Sequence, residues 1–439
     1  MYKLLKVTGW PLVWLLMLLP IWRWATMVPL DSRFANKTLW FLSLSQVTAL
    51  AGLVLFALSL VLATRASFLE DLFGGQNKVY IAHHKMGAWA FVLLMIHPMM
   101  VAMMYTQLGL KKAAEMLLPM PSNIPVALGV LSLWALIILL VITLYIKLPY
   151  GLWLKTHKLL GVSFLLGGTH ALVVRNQLVH DRFIRWYILI AVAIGAGSWI
   201  YRTLSARWLV RRYSYMVHGA VLKAPGDIEV TLVPDNQLMN FKAGQFVFIS
   251  FLADGISHEW HPFSISSAPG SGQLGITIKA LGDYTNRLVA ALPGMTGSHA
   301  LVEGAHGRFS YQYLSNPQQI WIGGGIGITP FLSMARDMGA GPYNIDLYYS
   351  VAHANEFIDL AAIQAAQINT RDRVLRVIPF VAETEGFLTA KRITEITPGA
   401  VGREILICGP PVMMKSLREQ FKSVGVPNRN IHTEEFSMS

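Results

Sequence analysis

Five histidines sit in stretches otherwise too apolar for them. His83 and His84 lie in Ala82-His83-His84-Lys85-Met86-Gly87 and precede Ile96-His97-Pro98; His157 lies in Thr156-His157-Lys158-Leu159-Leu160-Gly161 and precedes Thr169-His170. The separations are 14 residues from His83 to His97 and 13 from either His84 to His97 or His157 to His170. Ionisable groups at membrane depth are costly and mark functional positions. At 1.5 Å per residue each pair spans about 20 Å along its helix. Two such helices side by side present two stacked imidazole pairs, an arrangement that can ligate two haem irons. A lone buried histidine is more often a hydrogen-bonded structural residue, but two pairs at nearly equal spacing argue against coincidence. Zinc fits poorly, because the histidines of one helix are too far apart to share an ion.

Helical phase separates the neighbours. A separation of 14 turns the second residue by about −40°, so His83 and His97 share a face, whereas 13 turns it by about −140°. His83 is therefore the first choice, with His84 the alternative. The His157/His170 pair needs a kink, a bulge or long imidazole reach; Gly167 and Gly168 are candidates for local freedom and for close approach of a flat porphyrin. Trp89, Phe91, Met95 and Phe164 fall between the two levels and could pack there.

The elements that must carry these histidines follow from composition. The chain has 439 residues, 54% hydrophobic and 14% charged, too oily for a soluble protein of this size. Through Arg212 there are 20 Lys/Arg against 5 Asp/Glu, or +15; the remainder has 16 against 19, or −3, giving the net +12. Positive charge thus belongs to the oily half, where it flanks membrane segments rather than marking nucleic acid. No nucleic-acid partner is expected. Cys408 is the only cysteine, which excludes an intrachain disulfide and a Cys-ligated iron–sulfur cluster.

Six apolar segments suit transmembrane helices: Gly9–Leu30, Leu39–Ala63, Val79–Tyr105, Pro125–Ile146, Trp153–Val174 and Phe183–Leu204. The first reads as an uncleaved helix rather than a signal peptide. With both termini cytoplasmic, 12 Lys/Arg fall in inside segments and 7 outside, and Arg207–Arg212 follows the last helix directly. In that orientation His83 (or His84) and His157 lie at the cytoplasmic level, and His97 and His170 toward the outer face.

From Tyr213 the pattern shortens to alternating runs, Val217–Leu222, Ile228–Val233, Gln245–Phe251, Gly275–Ala280 and Ala300–Glu303, which read as strands of a small antiparallel barrel. Within it His261-Pro262-Phe263-Ser264-Ile265-Ser266-Ser267-Ala268-Pro269 sets small and hydroxylated residues beside an aromatic, suited to a flat ring. Lys279 leads to the Gly282-Asp283-Tyr284-Thr285 turn, whose backbone N–H groups and hydroxyl suit a pyrophosphate. After Asn316 strands and helices alternate. Strand Gln319–Ile322 enters Gly323-Gly324-Gly325-Ile326-Gly327-Ile328-Thr329-Pro330 and a helix over Phe331–Met338; strands follow at Ile345–Ser350, Arg376–Phe380 and Glu404–Cys408. Glycines between strand and helix admit a phosphate to the helix N-terminus. The last strand runs into Cys408-Gly409-Pro410-Pro411, where Cys408 is either an inert buried thiol or a small polarisable group beside a nicotinamide.

In this order the motifs resemble the ferric reductase/NADPH oxidase superfamily over nearly the whole chain. The resemblance implies a multi-domain membrane protein: a six-helix di-haem transmembrane bundle over 1–212, an antiparallel β-barrel FAD domain over 213–315 and an α/β Rossmann-like NAD(P) domain over 316–439. It implies flavin contacts at His261, Pro262, Phe263, Ser264, Ser266 and Ser267. It implies nucleotide contacts at Gly323, Gly324, Gly325, Gly327, Thr329 and Pro330, and a nicotinamide side at Cys408, Gly409 and Pro410. The ending Thr433-Glu434-Glu435-Phe436 is similar to the family's, where an aromatic covers the flavin, a role that falls to Phe436. NADPH or NADH would give a hydride to FAD, which would release electrons singly to two b-type haems and on to an external acceptor.

Ferric chelates are the first expectation for that acceptor, O2 reduced to superoxide the alternative, and a non-enzymatic haem membrane sensor or transporter the alternative of another class. Arg175, five residues past His170, is a candidate for a haem propionate, an anionic chelate or an oxygen species, with interfacial anchoring the plainer role. Where NADPH-preferring relatives often place an Arg, Val351-Ala352-His353-Ala354-Asn355-Glu356 offers only His353, which leaves NADH or dual use open.

Overall fold

The computed structural model describes residues 8–174, 177–339 and 341–435. It divides into two units that meet between Val210 and Arg211.

The first unit is helical: α1 Gly9–Met27, α2 Lys37–Leu62, α3 Gln76–Tyr105, α4 Ile124–Tyr145, α5 Tyr150–Lys158, α6 Leu160–Val173 and α7 Arg182–Thr203. Of these, α2, α3, α4 and α7 are long and apolar enough to cross a membrane. The stretch expected as one fifth span is divided at Leu159 into α5 and α6, and α1, 19 residues long, contains Pro20. Local chemistry marks the helix starts: Asn36 and Asp181 side chains accept from the N–H of Leu39 and Ile184 at 3.0 and 2.9 Å. Asp181 also takes the Arg23 guanidinium at 2.6 Å, tying α1 to α7.

The centre of the unit is α2. Of its apolar window 67% is buried, against 11%, 11% and 17% for α3, α4 and α7. It packs along α3 and against α7, while α4 packs on α6. Close packing of such helices relies on small residues. A Cβ on Gly195 would lie 2.6 Å from the Phe164 ring, and Phe164 sits edge-on to Phe56 of α2.

The division at Leu159 shows in the backbone bonding. The Leu159 N–H reaches back three residues to Thr156 O at 3.1 Å, and Val162 N–H reaches Leu159 O at 2.8 Å. The Lys158 carbonyl is taken by the Trp199 indole N–H of α7 at 2.7 Å, which satisfies a group that a helix end leaves orphaned. The indole lies against Gly161, where a Cβ would stand 2.1 Å from it.

The second unit holds two six-stranded sheets. The first comprises β1 Tyr213–Ala224, β2 Asp227–Pro234, β3 Phe246–Leu252, β4 His261–Ser264, β5 Leu274–Lys279 and β6 His299–His306 in the order β4-β3-β6-β1-β2-β5. All its pairings are antiparallel. Alternate residues such as Ile228, Val230 and Leu232 enter its core. Its two edges meet where Ile265 bridges Ile276 and the Ser266 N–H donates to Gly275 O at 2.8 Å. Pro262 is tolerated because β4 is the end strand of this order, paired only with β3 along its length. The helix α8 Asp283–Ala291 follows β5.

The second sheet comprises β7 Gln318–Gly324, β8 Asn344–Val351, β9 Ile368–Asn369, β10 Val374–Val381, β11 Glu404–Cys408 and β12 Ile431–Glu434 in the order β12-β11-β7-β8-β10-β9. It is parallel except at β9. Both faces are covered, which explains continuous apolar runs such as Ile320–Ile322. Helices α9 Thr329–Asp337 and α10 Pro411–Ser423 follow β7 and β11. A closed ring of charges joins the two sheets' elements: Lys223–Glu229 3.1 Å, Glu229–Arg336 3.3 Å, Arg336–Asp359 2.8 Å and Asp359–Lys223 3.4 Å.

Replacing Gly161 with Ala must displace Trp199 and its bond to Lys158, at a cost of ~1–3 kcal/mol. The apparent melting temperature of the detergent-solubilised protein should fall. Gly197→Ala, where a Cβ meets nothing within 4 Å, should leave it unchanged.

Candidate functional site

The four paired histidines come together as two facing couples. His83 of α3 faces His157 of α5 with ring centroids 6.1 Å apart, and His97 of α3 faces His170 of α6 at 6.3 Å. Two imidazoles sharing one ion through metal–nitrogen bonds of about 2 Å set their centres roughly 6 Å apart, so each couple fits a single iron between its rings. His84 is exposed and its ring lies 5.8 Å from that of His83.

Backbone carbonyls hold three of the four rings. His83 Nδ1 is 2.8 Å from Ser59 O, His97 Nδ1 3.0 Å from Ser45 O and His170 Nδ1 2.7 Å from Pro125 O. A carbonyl only accepts, so each Nδ1 carries the proton and Nε2 keeps its lone pair. Gly129 makes room for one of these rings, since a Cβ there would lie 2.8 Å from His170 Nδ1. His157 differs. Its Nδ1 is buried with no hydrogen-bond partner among the described residues.

The division at Leu159 releases His157 and His170 from the phase of one continuous helix. Gly167 and Gly168 do not supply that freedom: Cβ atoms there would meet Ser132 Oγ at 2.8 Å and Val192 at 2.9 Å, so both serve helix–helix contact. Trp89 is 63% exposed rather than packed between the histidine levels. Arg33, between the first two apolar segments, is buried against the Trp24 ring, with Nη2 on Trp24 O at 2.6 Å. An arginine between two apolar segments carries no signal that it folds inward.

In the second unit β4 brings the His261–Ser264 stretch beside β3, and a cleft there is lined by Gly244, Phe246, Pro262, Phe263, Ser264, Glu434 and Glu435. The His261 ring stacks on Tyr284 at 3.9 Å and 14°, and its Nε2 lies 3.0 Å from Glu259 Oε2. Burial pushes the Tyr284 phenol up, and its hydroxyl has no partner among the described residues. Phe246, Pro262 and Phe263 give this cleft its apolar side chains and Ser264, Glu434 and Glu435 its polar ones, residue types that suit a ring system with polar edges.

Other expected contacts are already engaged. Ser266 Oγ donates to Glu229 at 3.2 Å, Ser267 Oγ accepts from Gly275 N–H at 2.9 Å, and the two backbone carbonyls accept from Arg336 and Ser333 of α9 at 2.9 and 2.6 Å. These serines fasten the first sheet to α9. In the Gly282–Thr285 turn, Thr285 Oγ1 accepts from the N–H groups of Leu281 and Gly282 at 3.0 Å each, so Asp283 and Tyr284 open α8 from a turn that already caps itself. Lys279 lies 3.8 Å from the buried Asp227 carboxylate.

The glycine loop after β7 and the turn after β11 press together at the carboxyl ends of adjacent parallel strands, where open α/β sheets bind ligands. A Cβ on Gly327 would lie 2.3 Å from Cys408 O, one on Gly324 2.5 Å from Met413 Sδ, and one on Gly323 2.9 Å from Ile328. A Cβ on Gly409 would come within 3.1 Å of Gly324 Cα, and Pro410 stands against Gly324. Gly325, at φ +54°, has open space around it, so it alone of the four loop glycines faces away from packing. Thr329 Oγ1 donates to Ile326 O at 2.7 Å and Pro330 starts α9. Cys408 is fully buried beneath this junction, its Sγ 3.5 Å from Glu434 O, and burial together with Glu434 pushes its thiol well up, so it stays protonated. Beyond β8, His353 Nδ1 lies 3.1 Å from Glu383, whose carboxylate raises the imidazole above its usual range. Phe436 and Arg175 lie outside the described residues.

Residues 48–168 match the ferric reductase like transmembrane component family, 220–306 an FAD-binding domain family and 321–419 the oxidoreductase NAD-binding domain family. The chain belongs to the ferric reductase/NADPH oxidase superfamily. Over 212 residues it is 28% identical to respiratory burst oxidase homolog protein A of Solanum tuberosum, covering 42% of this chain and 21% of that one. Over 199 residues it is 30% identical to dual oxidase 1 of Homo sapiens, covering 43% and 12%. It thus spans about a fifth or less of the length of these two relatives. A flavohemoglobin from Malassezia yamatoensis with bound FAD and heme is similar in fold, with TM-score 0.51, 14% identity, and 90% of this chain and 99% of that chain covered.

Burial raises Asp227 to about 6, and neighbouring Glu356 adds to the rise while Lys279 opposes it. The folded state therefore holds this proton more tightly than the unfolded state. Stability should fall as pH rises from about 4 to about 6, by on the order of 3 kcal/mol at most. Asp227→Asn should flatten that part of the pH profile of urea unfolding of the second unit, followed by flavin or tryptophan fluorescence in the full chain.

Proposed function

We propose that the protein carries electrons across a membrane from NADH or NADPH to an acceptor on the far side, using FAD and two b-type haems held in a six-span bundle. The observation that carries this reading is the pair of facing imidazole couples, at 6.1 and 6.3 Å, which α3 makes with α5 at one level and with α6 at the other. When bound, FAD takes a hydride and releases electrons singly, and a bis-imidazole haem accepts one electron without offering an open iron position.

The chain's own residues do the rest. His83 with His157 and His97 with His170 would hold the two haem irons, and the carbonyls of Ser59, Ser45 and Pro125 fix the tautomer of three of these rings. His261, Pro262, Phe263 and Ser264 hold the flavin, with Tyr284 stacked behind His261. Gly325 and the start of α9 receive the dinucleotide phosphates. Cys408, small and uncharged, keeps water from the nicotinamide side. The domains are read as 1–212, 213–315 and 316–439, the first sheet as a barrel closed at Ile265, and both termini as cytoplasmic. The carboxylates of Glu356 and Glu383 around His353 disfavour a 2′-phosphate, which favours NADH.

Ferric chelate is the acceptor proposed first. Oxygen is the second reading, favoured by the names of the two relatives, a respiratory burst oxidase homolog and a dual oxidase.

Anaerobic stopped-flow absorbance tests the core of this reading: haem bands should reduce on mixing with NADH, and more slowly with NADPH. A purified protein with no FAD and no haem reduction would leave a haem sensor or transporter instead. Reoxidation by Fe(III)-citrate and by O2 then ranks the acceptors. His83→Ala should lose about half of the bound haem and His84→Ala little; the reverse would remove His83 from the ligand set. Gly129→Ala, which crowds His170, should lower haem occupancy while leaving the FAD content unchanged.

A further inference from the structure

Three of the four paired imidazoles are oriented by a hydrogen bond from Nδ1 to a neighbouring carbonyl, and His157 is not. A different device stands at this position. The His157 ring lies nearly parallel to the Trp153 indole, with centroids 5.2 Å apart and planes 8° from one another. Trp153 sits one helical turn earlier on α5, the spacing at which side chains of a helix meet. The indole is itself pinned, because its Nε1–H donates to Thr143 O at 3.2 Å in the last turn of α4. Tyr150 stacks on its ring at 5.8 Å and 24°.

We propose that the column Tyr150–Trp153–His157 replaces the missing carbonyl, making Trp153 the positioning residue for one axial ligand. The inference rests on the haem reading above. A stack fixes the plane of an imidazole but leaves its polarity untouched, whereas a bond to a carbonyl adds electron density to the ring. The His83/His157 couple therefore has one ligand strengthened by a carbonyl, and the His97/His170 couple has two. The planes of the first couple stand 70° apart and those of the second 55°. The electron paramagnetic resonance spectrum of a low-spin bis-imidazole iron depends on that angle, so the two sites are distinguishable and the angle at the first depends on Trp153.

The test uses the full-length protein with its cofactors, in wild-type, Trp153→Leu and Trp153→Phe forms, with His170→Leu identifying the signal of the other couple. Haem and FAD per chain, the low-spin signals and the midpoint potentials are measured for each. In Trp153→Leu the His83/His157 signal should shift or broaden, or its haem be lost so that the haem content falls about twofold. The other signal and the FAD content should stay, and Trp153→Phe, which can still stack, should resemble wild type. Unchanged signals and potentials in Trp153→Leu would overturn the inference. Loss of both haems together would also overturn it, by making Trp153 a general packing residue. A wild-type protein that binds no haem would instead bring down the haem reading itself.

Discussion

A nitrogen buried among apolar helices must find a partner, because nothing around it can solvate it. The arrangement of the helical unit follows from meeting that demand at four imidazoles. Helix α2 becomes the most buried element partly because its backbone, at Ser45 and Ser59, is what the α3 histidines hold. Helix α4 contributes Pro125 O, and it brings Gly129 along, whose missing side chain admits the His170 ring. The fourth ring takes a stacked indole. Each solution draws a further helix against α3, α5 or α6, so ligand orientation and bundle packing are one set of contacts.

The second unit rests on a different economy of space. Two strand-to-helix turns meet backbone to backbone at Gly324 and Gly409, and Gly327 lies against the Cys408 carbonyl. Most of the glycines that look like a phosphate cradle are thus spent on letting two turns touch. The first sheet is secured to the helix after that cradle by Ser266, Ser267 and the Lys223–Glu229–Arg336–Asp359 ring. Asp359 takes part from a backbone at φ +54°, a conformation uncommon for a residue other than glycine.

Much of this was legible in the chain. The strands over Gln319–Ile322, Ile345–Ser350 and Glu404–Cys408 announce themselves as continuous apolar runs because both faces of a parallel sheet are covered. Helical phase pairs His83 with His97 because α3 is unbroken from Gln76 to Tyr105. For His157 and His170 phase called for a kink or a bulge without placing it, and the interruption stands at Leu159, where no proline marks it. The carbonyl at that point, on Lys158, is taken by Trp199, 41 residues away in the chain. Glycine at 167 and 168 signalled close approach without saying to what, and the partners proved to be Ser132 and Val192. Ser266 and Ser267 look available in the sequence only because Glu229, Gly275, Ser333 and Arg336 are distant in it.

The two carbonyls on α2 are separated by 14 residues, the same interval that separates the two histidines they hold on α3. The helices run in opposite directions, so together they behave as a pair of matched rulers. Inserting or deleting one residue between the marks on either helix would turn one end by about 100° and slide it about 1.5 Å. One histidine would then face away from its carbonyl while the other kept its own. Length in this part of the chain is therefore tied between two segments: α2 and α3 can tolerate many exchanges of side chain between their marks, but a change in the number of residues in one demands the same change in the other.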